Sequence, residues 1–257
     1  MKLNLLIIFT LLTLQNCLKQ SDKKLIVNWY KYPIPTNPDT IKKYNFSPNE
    51  WHVYKKNDSA YVVDEKGSPP IQLPFKVKVK KADRSVFLGR PSIMKVDDGY
   101  LVGFYRGEWG GALYWVSKDG KKYYKISDHE IVQFINKDGK LYAIEGLAHL
   151  NMSEGSIIKI YKSNNVWMVK DYLKLSTAPE AVAIDDHNNF IIITSKSLLK
   201  VDNNAKTSTL INKGIWWYAA LNTNSLIIKN NIVYAGMRAG VCEYDLNAEK
   251  EYWLLPY

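Results

Sequence analysis

Arg106-Gly107-Glu108-Trp109 interrupts an apolar run, FYRGEWGGALYW (104–115), with two charges and an indole in a glycine-rich gap. A guanidinium grips anions in a fork, a carboxylate moves protons and an indole supplies a flat apolar face. The same residues could also join two strands, Arg106 and Glu108 satisfying each other and the strand ends. Glu145 and His149 are four residues apart, but a metal needs a third ligand and none accompanies them, so no metal or cofactor is expected. Asp128 and His129 would make an acid–base pair, except that neighbours on a strand point to opposite faces. No Gly-X-Ser-X-Gly, HExxH or phosphate-loop pattern occurs. Cys242, in VCEY, reads as a buried small hydrophobe.

These residues are separated by short apolar runs and turn dipeptides: Asp98-Gly99, Asp119-Gly120, Asp138-Gly139, Asn164-Asn165, Asn188-Asn189, Asn203-Asn204 and Asn230-Asn231. Asp, Asn and Gly tolerate positive φ and so suit tight hairpins. No stretch shows a helical period, so the class is all-β. The hairpins also repeat. GALYWVSKDGKKYYKIS, GSIIKIYKSNNVWMVKDYL, KSLLKVDNNAKTSTLIN and AGVCEYDLNAEKEYWLLP begin 44, 41 and 43 residues apart. Two further strands precede each of them, as SIMKV and GYLVGFY precede the first. A weaker first copy spans 51–75, with a turn expected at Lys66-Gly67.

A four-stranded unit at this period resembles a β-propeller blade. The resemblance is to the superfamily, over residues 49–257, without the signature of any one blade family. It implies five four-stranded antiparallel blades, or six if residues 25–50 supply one. Strands such as NFIIITS, apolar without alternation, suit blades covered on both sides. Ser117-Lys118-Asp119-Gly120 is similar to part of the sialidase Asp-box, but the glycine comes early, and an Asp-Gly hairpin explains it.

Blade geometry places the turn dipeptides on one face and the B–C and D–A connections on the other. That second face should gather Arg90, Arg106, Glu108, Trp109, Glu145, His149, Glu180, Trp216, Trp217, Tyr218 and Arg238, with Asp128, His129 and Glu154 beside them. Unusual loops on one side of a repeat array mark its binding side. The tryptophans could instead wedge between blades, or the WWY cluster could anchor an interface.

The N-terminus, MKLNLLIIFTLLTLQNC, has a positive residue, a short apolar run and a cysteine. It resembles a bacterial lipoprotein signal, with Leu14 at the expected place and Asn16 departing from the usual small residue. The expectation is a signal peptide over 1–16, a lipidated Cys17 with tether and lead-in over 17–48, and one propeller over 49–257. The address is then the bacterial cell envelope, periplasm-facing, on the outer membrane if the cell is Gram-negative. A net charge of +10 could serve anionic envelope polymers, anionic lipids or an acidic protein; nucleic acid is not an expected partner. The function expected is binding of a protein or envelope ligand, for instance as an inhibitor or immunity protein. The alternative is a hydrolase, lyase or cyclase with carboxylates around the channel.

Overall fold

The computed structural model describes residues 24–65, 71–150 and 152–256. Among these, twenty strands form five antiparallel sheets, the blades of a propeller. The chain enters through β1 (Lys24–Leu25), β2 (Tyr30–Tyr32) and helix α1 (Pro38–Asn45), then forms β3 (Trp51–Lys56) and β4 (Ser59–Asp64). Blade 2 is β5 (Arg90–Val96), β6 (Gly99–Tyr105), β7 (Gly111–Ser117) and β8 (Tyr123–Ser127). Blade 3 is β9 (Ile131–Lys137), β10 (Lys140–His149), β11 (Met152–Ser163) and β12 (Val166–Leu175). Blade 4 is β13 (Pro179–Ile184), β14 (Phe190–Thr194), β15 (Leu198–Val201) and β16 (Thr207–Ile211). Helix α2 (Ile215–Ala219) precedes blade 5: β17 (Ser225–Lys229), β18 (Ile232–Met237), β19 (Gly240–Asp245) and β20 (Lys250–Leu255).

The turn residues behave as their chemistry requires. Asp138-Gly139, Asn164-Asn165 and Asn230-Asn231 all take positive φ in two-residue hairpins. At Asp119 the carboxylate accepts from the Ser117 hydroxyl and the Lys121 N–H, which is ordinary turn geometry. The fully buried β14 shows why its sequence lacks alternation. Phe190 and Ile192 pack with blade 3, whereas Ile191 and Ile193 pack with blade 5. Similar cores join blades 2 to 3 and 5 to 1.

Blade 1 departs from the expected copy. Its hairpin turns at Asn57-Asp58, both at positive φ, and Lys66-Gly67 lies outside the described residues. From 71 to 80 the chain forms no strand. Pro69 and Pro70 precede this stretch and Pro74 lies within it, and proline cannot donate to a sheet ladder. Leu73, Phe75, Val77, Val86 and Phe87 instead cover the side of blade 2. Blade 1 takes its third strand, β1, from the N-terminal side of the chain. A few residues on, β2 adds a fifth strand outside β20 of blade 5. Residues 25–50 therefore supply no sixth blade; they clasp the seam between the last blade and the first. Between β1 and β2, Ile26 and Trp29 are buried in the core of that seam.

Two helices appear where the sequence pattern shows none. The Asn37 side chain caps α1 by accepting from the Asp39 and Thr40 N–H groups, and Pro38 fits the first turn. With eight and five residues, α1 and α2 are too short to display a helical period. Among the described residues no helix is long and apolar enough to cross a membrane. The signal sequence and Cys17 lie outside the described residues.

Candidate functional site

The inner strand of every blade opens on a polar residue at the same end of the propeller. Glu50 immediately precedes β3, Arg90 begins β5, Glu130 precedes β9, Glu180 is second in β13 and Asn224 precedes β17. Two of these groups converge. Arg90 and Glu180 line a recess of about 60 Å³ with Tyr105, Val132, Gly146 and Pro179. Burial pushes the Glu180 carboxyl up to about 7, with the Arg90 charge opposing the rise. Tyr105 is raised by burial and then by the charges of Glu180 and Glu130. Glu180 is therefore poised to exchange a proton near neutral pH.

A wider cleft lies between blades 2 and 3. Its cavity of about 560 Å³ is lined by Asp128, His129 and Glu130 before β9, and by Glu145, Leu147, Glu154, Ser156, Asp171 and Lys174 of blade 3. Glu145 accepts a hydrogen bond from Ser156, and Asp128 is paired with Lys125. Glu130 Oε2 is shielded from solvent without a hydrogen-bond partner. Burial raises the Glu130 carboxyl, and the nearby Glu145 charge adds to the rise. Gly146 and Ala148 line the recess, while Glu145 and Leu147 line the cleft. Strand alternation thus gives β10 one cavity on each side.

The stretch 145–155 is two strands, not the loop its sequence implies. β10 and β11 stay paired from Leu141↔Ile160 to His149↔Met152 and rise past the shorter strands beside them. Their end is tied to blade 2. His149 Nε2 lies 3.0 Å from Glu108 Oε2. Glu108 sits in a single helical turn, Gly107–Trp109, between Gly107 at φ 59° and Gly110 at φ 75°. Both glycines occupy the left-handed region that other residues avoid. Glu108 therefore pairs with His149, not with Arg106, whose stem packs against Gly89.

The remaining candidates separate. Arg238 donates to Asn45 O and Oδ1 and pairs with Glu50 at 3.0 Å, fastening the end of α1 to blade 5. Trp216 is buried, and its indole N–H donates to Thr194 O, so it wedges between elements. Trp217 and Tyr218 on α2 are exposed, with Lys196 Nζ over the Trp217 ring at 5.8 Å. Cys242 is buried, and burial raises its thiol far above the reactive range. Among the described residues no group of three or more His, Cys, Asp or Glu could hold a metal.

Sequence reasoning overlooked Glu130, Tyr105 and the His52–Glu65 pair, whose Nδ1···Oε1 distance is 2.9 Å. The signal for Glu130 was available. Aligning the repeats on the first inner-strand position places Glu50, Arg90, Glu130 and Glu180 in one ring.

No protein family and no curated protein matches this chain significantly. Solved structures that resemble it include a streptogramin B lyase, at 11% identity and TM-score 0.42, over 65% of this chain and 54% of that one. Another is the virginiamycin B lyase of Staphylococcus aureus, at 13% and 0.43, over 65% and 55%. A third is PorZ, a surface component of the type-IX secretion system of Porphyromonas gingivalis, at 7% and 0.46, over 83% and 35%. The chain thus spans little more than half of either lyase and about a third of PorZ. The likeness is one of fold alone.

Proposed function

We propose that this chain is an exported, lipid-anchored binding module that holds a protein partner on its B–C/D–A face, as an inhibitor or immunity protein would. The observation that carries this reading is the placement of exposed apolar side chains. Leu88 (87% exposed), Trp109 (70%), Leu150 (90%), Met152 (59%), Trp217 (47%) and Tyr218 (65%) all sit on connections of that one face. The opposite face, built from turns of two to five residues, offers Val166, with Met168 following it on the outer strand β12. Large apolar groups left in water at loops of a rigid scaffold are the usual mark of an interface. Two carboxylates near them have partners, Glu108 in His149 and Glu145 in Ser156. That arrangement suits recognition better than two free carboxylates would.

The test is site-specific photocrosslinking in the producing cell. A photoreactive residue at Trp109 or Leu150 should give a discrete heavier adduct, whereas one at Asn204, in a turn of the opposite face, should give none. Adducts from all three positions, or from Asn204 alone, would refute the assignment of the face.

A second reading is catalysis around the channel, and one observation favours it. Glu180 lies at the recess with Arg90 and Tyr105 and a carboxyl held near 7, the combination expected of a general acid or base.

A further inference from the structure

The cleft between blades 2 and 3 brings together charges that the fold does not require. Glu130, Glu145, Glu154 and Asp171 line it, with Lys174 as the one ammonium among the lining side chains. Glu130 Oε2 is shielded without a partner, and Glu145 repels the charge on it. This happens in a chain of net charge +10, where a lysine at any of these positions would have been the commoner choice. Like charges held together with a single ammonium among them are destabilising until a further cation joins them. The lip of the same cleft is apolar. The Glu108–His149 pair sets the 107–109 turn against the end of the β10–β11 hairpin. Trp109, Leu150 and Met152, all exposed, thus neighbour residues of the acidic cavity: Gly110, next to Trp109, stands against Glu130, and Met152 lies two residues before Glu154 on β11.

Resting on the reading of this face as a binding surface, we propose that the cleft receives an amphipathic segment of a partner polypeptide bearing lysine or arginine. Its cationic group enters among Glu130, Glu145 and Glu154, and its apolar side chains cover Trp109, Leu150 and Met152. Charge complementarity selects this occupant. An acidic segment or anionic polymer would set its charge against carboxylates in a partly dry cavity, which costs several-fold to hundred-fold in affinity. The surrounding positive field repels a basic segment at long range, so affinity must come from contact and not from steering. Attraction is then local, which favours partners able to fit the cleft over cations in general.

The test uses fluorescence anisotropy with two labelled peptides, one of lysine and leucine at helical spacing and one with glutamate in place of lysine. The lysine peptide should bind the full-length protein at least about ten-fold more tightly than the glutamate peptide, despite the net charge. Glu130→Gln with Glu145→Gln should weaken it about ten-fold. Leu150→Ser should weaken it several-fold, and the exposure of Leu150 leaves the fold of that variant intact. Asp186→Asn, in a turn of the opposite face, should bind like wild type. Preference for the glutamate peptide, no binding of the lysine peptide, or wild-type affinity in both the carboxylate and Leu150 variants would overturn the proposal. Crosslinking from Leu150 in cells together with any of these results would keep the binding face and remove its cationic ligand.

Discussion

At Glu180 the fold holds a carboxyl near 7 by burial, against an ordinary value of 4.5 in an open chain. An acid whose folded value lies above its unfolded one stabilises the protein fully below the unfolded value. That contribution fades as pH rises through the folded value. Wild type should therefore lose on the order of 2 kcal/mol relative to Glu180→Gln between about pH 4.5 and pH 7.5. Urea titrations of both proteins at pH 5 and pH 8 measure the difference, and a gap that does not change with pH would show that Glu180 titrates as it does unfolded. The same variant speaks to catalysis. If an activity is found, its loss in Glu180→Gln with folding retained would favour the enzymatic reading. At this scale the sequence was half legible. It assigned Arg90 and Glu180 to one face, but not to the one recess they line. Their meeting depends on how inner strands of nonadjacent blades converge, which no local pattern encodes.

Among the elements, the blades were legible because each carries its own hairpin chemistry. Asp-Gly and Asn-Asn turns at forty-odd-residue spacing delimit them. The β10–β11 hairpin was misread because EGLAHLNMSEG mixes glycine, asparagine and charge as loops do. Strand pairing overrode composition there, and Glu145 and Glu154 face the cleft. What joins one blade to the next was invisible. The Gln133 side chain on β9 donates to Val182 O and accepts from Val182 N on β13, replacing a ladder step between two sheets. Gln133→Leu keeps the volume and strands both backbone groups. The expected cost is about 2 kcal/mol, read as a lower urea midpoint at unchanged slope. An unchanged midpoint would mean that water satisfies Val182. Gly103 shows a second joint of this kind: a Cβ there would lie 2.2 Å from that of Ile131 in the next blade. The sequence reads it only as a glycine in a strand.

For the whole molecule, ring closure is the feature least visible in sequence. A propeller can be closed by its own repeats, but here β1 completes blade 1 and β2 extends blade 5, from one nine-residue stretch. Neither strand is long enough to announce itself. Trp29, buried between them and in edge contact with Trp51 at 4.8 Å, holds the stretch in place. Trp29→Ala should cost about 3 kcal/mol. Hydrogen exchange should rise in β3, β4 and β20 while β10 and β11 stay protected. A uniform rise across all five sheets would mean that the ring opens as a single cooperative unit.

The clasp also sets how the protein bears load. A chain held at its N-terminus transmits any pull on its body through β1 first and β2 next. β1 offers two paired residues and β2 three, and both run along the outer edges of their blades. Edge strands drawn from one end peel pair by pair instead of shearing as a block. Tension would therefore release Lys24 and Leu25 while the other sheets stayed intact. The seam between the last blade and the first would then be the slackest link, yielding before the blades themselves.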